Sequence, residues 1–134
     1  MQTIRYELIP AQGTEGQVAV ITFDETNSPV NTMCRQWQQE LGEVTAQVLG
    51  DRERLGTALK GIVLASAKTS FFAGADLKAT MRLTPADAPA VFGEIERMKK
   101  HLRTLETLGI PVVACLNGAA LGGGMGIATI VERI

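Results

Sequence analysis

The chain has 134 residues, 46% of them hydrophobic and 4% aromatic, with 13 basic groups against 14 acidic ones. That length suits a single domain able to bury a core without metals or disulfides. A net charge of −1 lacks the clustered basic face that nucleic-acid binding requires. Cys34 and Cys115 lie 81 positions apart with no Cys or His at ligand spacing, which argues against a zinc site or disulfide framework and for a reducing cytoplasm. The opening MQTIRYELIP lacks the apolar stretch of a secretory signal.

In chain order, Arg5 to Ile9 alternates apolar and polar residues, and QVAVITFD (Gln17 to Asp24) is a β-branched run after Gly16. The pair reads as a hairpin through AQGTEG. Asn31 or Thr32 caps a helix whose stripe Met33, Trp37, Leu41, Val44 and Val48 steps by three or four, with Gly50 closing it. GIVLAS (Gly61 to Ser66) reads as a buried strand. Thr84 and Pro85 open a second helix with the stripe Val91, Ile95, Met98, Leu102 and Leu105, ended by Gly109 and Pro111. PVVACL (Pro111 to Leu116) is another buried strand, and GGGMGIATIVERI opens a third helix. The order β-β-α-β-α-β-α predicts an α/β domain with parallel crossovers.

From Thr107 to Val131 no residue is charged, a stretch of 25 positions and long enough to span a bilayer. Pro111, Asn117 and six glycines interrupt it, and no Lys/Arg cluster or aromatic belt anchors it, so strand, glycine turn and buried helix fit better than a membrane span.

Two segments pass from a buried strand through glycine toward a helix, FFAGADLK (Phe71 to Lys78) and NGAALGGGMG (Asn117 to Gly126). Such a junction leaves main-chain N–H groups without intrahelical partners, at the positive end of the helix dipole. It therefore suits an anion or a developing negative charge. The second segment matches neither the G-x-G-x-x-G dinucleotide fingerprint nor the lysine-containing triphosphate loop. Taken singly, its glycines serve equally well for close helix–strand packing.

Taken together with VAVITFDETNSPVNTM upstream, GIVLASAKTSFFAGADLK and IPVVACLNGAALGGG resemble the crotonase superfamily, the enoyl-CoA hydratase/isomerase family. Within it the likeness is greatest to the hydratase domain of multifunctional fatty-acid oxidation proteins, from about Val18 to Met125. The resemblance implies a fold of ββα units, here an N-terminal portion, with residues 1–134 as one partial domain. It implies that the two glycine segments meet and present one main-chain N–H each, from Ala75 and Gly123, to the carbonyl oxygen of an acyl-CoA thioester. Gly74, Gly122 and Gly124 would let the ligand approach, while Phe72, Asp76 and Lys78 would border it. The implied activity is on 2-enoyl-CoA thioesters in fatty-acid β-oxidation, with no cofactor beyond the CoA of the substrate. The implied assembly is a homo-oligomer, trimeric or larger, or a fatty-acid oxidation complex.

The sequence also departs from that family. Hydratases carry an acid/base glutamate two residues after the GGG triplet, where this chain has Gly126, and a second glutamate lies beyond Ile134. Oxyanion stabilisation without a positioned acid/base forfeits roughly 10²–10⁴ in rate. The resemblance thus leaves two readings, a family enzyme and a catalytically inert acyl-CoA-binding or assembly fragment. Glu132 stands eight residues past Gly124, about 12 Å along a helix, and is a poor substitute. A half-length domain with uncovered sheet edges is expected to self-associate or to pack loosely.

Other residues have plainer readings. Asp76 suits a helix cap better than a catalytic role. Lys78 suits a solvated surface, although the family places basic residues near CoA phosphates. His101, the only histidine, reads as a surface residue, and Cys115 as a small buried group in mid-strand. Phe71 and Phe72 suit core packing as well as a pocket wall. In RMKKHLR (Arg97 to Arg103) the charges form a solvated helix face.

Overall fold

A computed structural model describes residues 2–122 together with Gly124 and Ile127. Strands β1 (Ile4–Pro10) and β2 (Gln17–Phe23) form the antiparallel hairpin, with Ile4 opposite Phe23 and Pro10 opposite Gln17. Helix α1 (Arg35–Leu55) then crosses over to β3 (Leu59–Ser66), which runs parallel to β2. A short helix α2 (Leu77–Met81) and the longer α3 (Ala88–Glu106) lead to β4 (Val112–Ala114), parallel to β3. The described sheet is thus mixed, in the order β1-β2-β3-β4, and the architecture is α/β.

The period-2 pattern of β2 decides which face is covered. Ala19, Ile21 and Phe23 are buried, and their cross-strand partners Ile62 and Leu64 on β3 lie on the same face. Helix α1 lays Trp37, Leu41, Val44 and Val48 onto that face, each at most 1% exposed. Fully burying a side chain of this kind is worth about 1.5–3 kcal/mol, so the stripe outweighs the modest propensities along the helix. Phe23, Trp37 and Phe72 meet edge to face or tilted, with ring centroids 5.2–6.1 Å apart. The opposite face, with Val18, Val20, Val63 and Val113, is only half-buried. The apolar β3 run implied cover on both faces, and the described residues supply it on one.

Several boundaries differ from the expectations. Neither Asn31 nor Thr32 caps α1; Cys34 stands at that position without a side-chain hydrogen bond, and Met33 precedes the helix. Asn31 is drawn inward instead, because its amide has buried partners described below. Gly50 does not close α1, which continues to Leu55 and ends at Gly56, where φ is +55°. Gly50 is exposed with open space around it, so tertiary packing on either side carries the helix through a poor helix former. Strand β4 stops at Ala114, and Cys115 is exposed beyond it rather than buried in mid-strand. Within GGGMGIATIVERI, Gly122 lies in a turn and Gly124 and Ile127 are helical; the other residues of that stretch lie outside the described residues.

One carboxylate ties β1 to α1. Glu40, 1% exposed, accepts the backbone N–H groups of Thr3 at 3.0 Å and Ile4 at 3.2 Å, and its other oxygen takes Gln36 Nε2 at 2.8 Å. Burial pushes its pKa up, but these hydrogen bonds to the charged form outweigh burial and leave it below the ordinary glutamate value. A depressed folded-state pKa contributes stability that is complete above the unfolded-state value and disappears as pH falls through the folded one. Glu40→Ala should therefore destabilise the fold by about 1–3 kcal/mol at pH 7, through two stranded N–H donors. Denaturant titrations at pH 7 and pH 3 should show the gap to the parent narrowing in acid. Gly50→Ala should raise stability by roughly 0.5–1 kcal/mol in the same assay.

Candidate functional site

The site lies at the carboxyl ends of the parallel strands, where α/β sheets commonly hold ligands. Three loops converge there. The segment after β3 and the segment after β4 run side by side: Phe71 and Phe72 N–H both donate to Ala119 C=O, at 2.9 and 3.1 Å, and Leu121 N–H donates to Phe72 C=O at 3.0 Å. Phe72 and Ala120 thereby form a parallel bridge. The loop after β2 joins from the other side, with Ala73 N–H bonded to Asn31 C=O and Met33 N–H to Gly74 C=O, both at 2.8 Å.

Asn31, 1% exposed, is the hub of this junction. Its Nδ2 donates to Ser66 Oγ at 2.9 Å and to Phe71 C=O at 3.1 Å, while its Oδ1 accepts from Glu25 N–H at 3.1 Å. One amide side chain thus fixes the ends of β2 and β3 relative to the first glycine segment. Sequence reading gave Asn31 only a possible capping role; the sole signal for more was its position in the NSPVN loop directly after a strand.

The glycines are required by close approach. Gly74 adopts φ +95°, and a Cβ there would stand 2.9 Å from Leu121 C=O. At Gly118 it would meet Thr69 C=O at 2.5 Å, and at Gly124 the Cβ of Phe72 at 2.6 Å. A Cβ on Gly122, where φ is +51°, would stand 3.8 Å from the Cα of Gly74, at van der Waals contact. The residues just ahead of the two candidate donors, Ala75 and Gly123, are therefore in contact. Ala75 is exposed, and no described residue accepts its N–H. Gly123, like Gly126 and Glu132, lies outside the described residues.

Ala75 opens onto a cavity of about 450 Å³ between the start of α1, helix α2 and the first half of α3. Met33, Leu83, Val91, Ile95 and Met98 make its wall largely apolar, and Arg35, Asp76 and Glu94 supply its charges. Cys34 also borders it; burial, above all, pushes its thiol pKa up and keeps it protonated, which makes it a poor nucleophile.

The remaining candidates are placed as follows. Asp76 caps α2, its carboxylate accepting Ala79 N–H at 3.3 Å, and it borders the cavity as well. Lys78 is exposed on the same helix. Phe72 is wholly buried, so it shapes the junction from beneath through its backbone bridge and aromatic contacts. Phe71 is equally buried. His101 is half-buried where α3 crosses α1, with Nε2 where a Cβ on Gly42 would come within 3.2 Å. Burial, followed by Lys100 and Arg97, lowers its pKa, so it sits neutral between the helices, lining an adjoining hollow with Arg35, Glu94 and Met98 rather than the cavity itself. Among the described residues no group of His, Cys, Asp or Glu side chains is arranged to hold a metal.

A family model for enoyl-CoA hydratase/isomerase matches residues 13–132. The chain belongs to the enoyl-CoA hydratase/isomerase family. It is 37% identical over 114 residues to the fatty acid oxidation complex subunit alpha of Shewanella halifaxensis (strain HAW-EB4), covering 83% of this chain and 15% of that one. The counterpart in Shewanella baltica (strain OS185) is 34% identical over 116 residues, with the same shares covered. Among solved structures, enoyl-CoA hydratase from Bacillus anthracis superposes with a TM-score of 0.74 at 23% identity, over 98% of this chain and 46% of that one. An enoyl-CoA hydratase/isomerase from Marinobacter aquaeolei gives 0.71 at 22%, over 98% and 47%. The fold is therefore crotonase-type. The chain spans under half the length of these structures and about one-seventh that of the fatty acid oxidation subunits.

In this family member, the contact between Gly74 and Leu121 should be more sensitive to bulk than an open turn glycine. Gly74→Ala combines a positive φ with a main-chain clash and is expected to cost about 2–4 kcal/mol. Gly13→Ala, at φ +77° with nothing within 4 Å, should cost only ~1–2 kcal/mol. Urea unfolding of the two variants measures the difference.

Proposed function

We propose that the chain binds an acyl-CoA thioester with its carbonyl oxygen at the main-chain amides of Ala75 and Gly123, and that this pair stabilises an enolate in fatty-acid β-oxidation chemistry. The observation that carries the reading is the abutment of Gly74 and Gly122 beside an exposed Ala75 that opens onto a largely apolar cavity. An amide that no described residue accepts is an available donor, and the neighbouring apolar wall lowers the local dielectric and strengthens such a bond. Fixed donors aimed at developing charge contribute about 2.7–4 kcal/mol each to transition-state stabilisation. Because both groups belong to the main chain, side-chain identity at Ala75 matters only for shape.

In this reading Gly74, Gly122 and Gly124 act through packing, letting the two segments close on each other, rather than by directly leaving room for the thioester; Asp76 holds α2 in place at the cavity, and Lys78 faces the CoA phosphates. No cofactor is involved beyond the CoA of the substrate. The similarity to fatty acid oxidation subunits supports a homo-oligomer or a larger oxidation assembly, with the cytoplasm as its compartment. Neither nucleic acid nor membrane enters as a partner. The net charge is −1, and among the described residues no helix is long and apolar enough to cross a bilayer.

A second reading, a fragment that binds acyl-CoA without turnover, is favoured by Gly126 at the position where the resembled hydratases carry a glutamate. Calorimetric titration with butyryl-CoA and with CoA, alongside loss of the enoyl-thioester absorbance of crotonyl-CoA, separates the two. We expect butyryl-CoA to bind and hydration to be slow. Gly126→Glu should then raise the hydration rate, by up to about 10²–10⁴ if the carboxylate reaches its position. Absence of butyryl-CoA binding by the parent chain would refute the proposal.

A further inference from the structure

We propose that Glu94 is the acid/base of this site, the group that moves a proton at the carbon next to the thioester carbonyl. The inference rests on the acyl-CoA reading above. Its first support is the position of Glu94 in α3. Val91, Ile95 and Met98 form the apolar stripe of that helix, and Glu94 falls on the same face, three residues from the first and four from the last. All four side chains line the cavity onto which Ala75 opens.

The second support is elimination within that cavity. Among the described residues its carboxylates are Asp76 and Glu94. Asp76 is committed to capping α2 through Ala79 N–H. Among the described residues Glu94 has one partner, Arg35 Nη2 at 3.7 Å, whose side chain is 90% exposed while that of Glu94 is 30% exposed. Such a pair is weak, so it leaves the Glu94 carboxylate free to accept a proton. The Cys34 thiol is held in its neutral form and does not compete.

The step balances without any further reactant. A Glu94 oxygen takes a proton from the α-carbon; the C–H bond breaks and an O–H bond forms. The electron pair moves into the α-carbon–carbonyl bond, and the carbonyl π pair moves onto the oxygen held by the two amides. Return of the proton to the same carbon exchanges it with solvent. In a 3-enoyl thioester, return at the γ-carbon instead moves the double bond into conjugation. Both outcomes need one carboxylate, whereas adding water needs one group to activate the water and another to protonate carbon. The arrangement therefore favours proton shift over hydration.

The test is deuterium incorporation from D2O into the α-position of butyryl-CoA, read by mass spectrometry, with calorimetric binding of the same ligand as reference. The parent chain should incorporate deuterium. Glu94→Gln should lower the rate by about 100-fold or more while changing the butyryl-CoA dissociation constant less than about twofold. Glu94→Asp, which keeps the carboxylate, should recover part of the rate, and it decides the matter if the Gln variant melts abnormally. Undiminished exchange in Glu94→Gln, or a parent chain that binds butyryl-CoA without exchange, overturns the inference alone. A parent chain that does not bind overturns the acyl-CoA reading together with it.

Discussion

Three main-chain hydrogen bonds between Phe71–Phe72 and Ala119–Leu121 hold the two glycine segments side by side, and the rest of the site follows from them. Backbone pairing fixes spacing to within a few tenths of an ångström, which a side-chain contact between loops does not. It uses the amides of Phe71 and Phe72, that of Ala73 goes to Asn31 C=O, and no described residue accepts the Ala75 N–H just past Gly74. The positive φ of Gly74 turns the chain away from its neighbour just there. A potential donor is thus made by ending a ladder rather than by adding a residue with a special side chain.

That ladder needs a rigid floor, and the aromatic cluster provides it. Phe23, Trp37 and Phe72 come from β2, α1 and the first glycine segment, three parts of the chain that meet only in the folded state. Asn31 adds a directional lock, since its amide satisfies acceptors on β3 and on Phe71 while its oxygen takes a donor from the β2 loop. Removing either partner of such a buried bond leaves a desolvated group unmatched.

The α/β character, the hairpin and both long helices could be read from periodicity and turn chemistry, because each depends on residues close in sequence; Thr84 and Pro85 open a 3₁₀ turn, Pro85–Asp87, and α3 itself starts at Ala88. Asp76 as a cap was equally readable, since capping is a three-residue relationship. The failures share a cause. Gly50 looked like a terminus because local propensity disfavours glycine in a helix, yet packing of Val48 and the residues before it carries α1 onward. Cys115 looked buried because its neighbours are apolar, but β4 ends one residue earlier. Asn31 looked like a cap because its partners on β3 and beyond lie 35 and 40 positions away. The two oxyanion candidates came from family likeness, not from pattern. Of the other cavity charges, Arg35 carried no local signal and Glu94 only its place on the stripe of Val91, Ile95 and Met98, since their common wall is made by helices far apart in the chain.

The pairing of Phe72 with Ala120 joins positions 48 apart, whereas the hairpin of β1 and β2 closes through a six-residue loop. Loop-closure entropy makes the hairpin an early event in folding and the junction of the glycine segments a late one. Contacts formed late, at the margin of a sheet, are also those most readily opened by local fluctuation. Amide exchange should then divide this molecule unevenly, with long-lived protection along β2 and β3 and faster exchange at Phe72 and Leu121. The place where chemistry is proposed would breathe, while the scaffold beneath it stays shut.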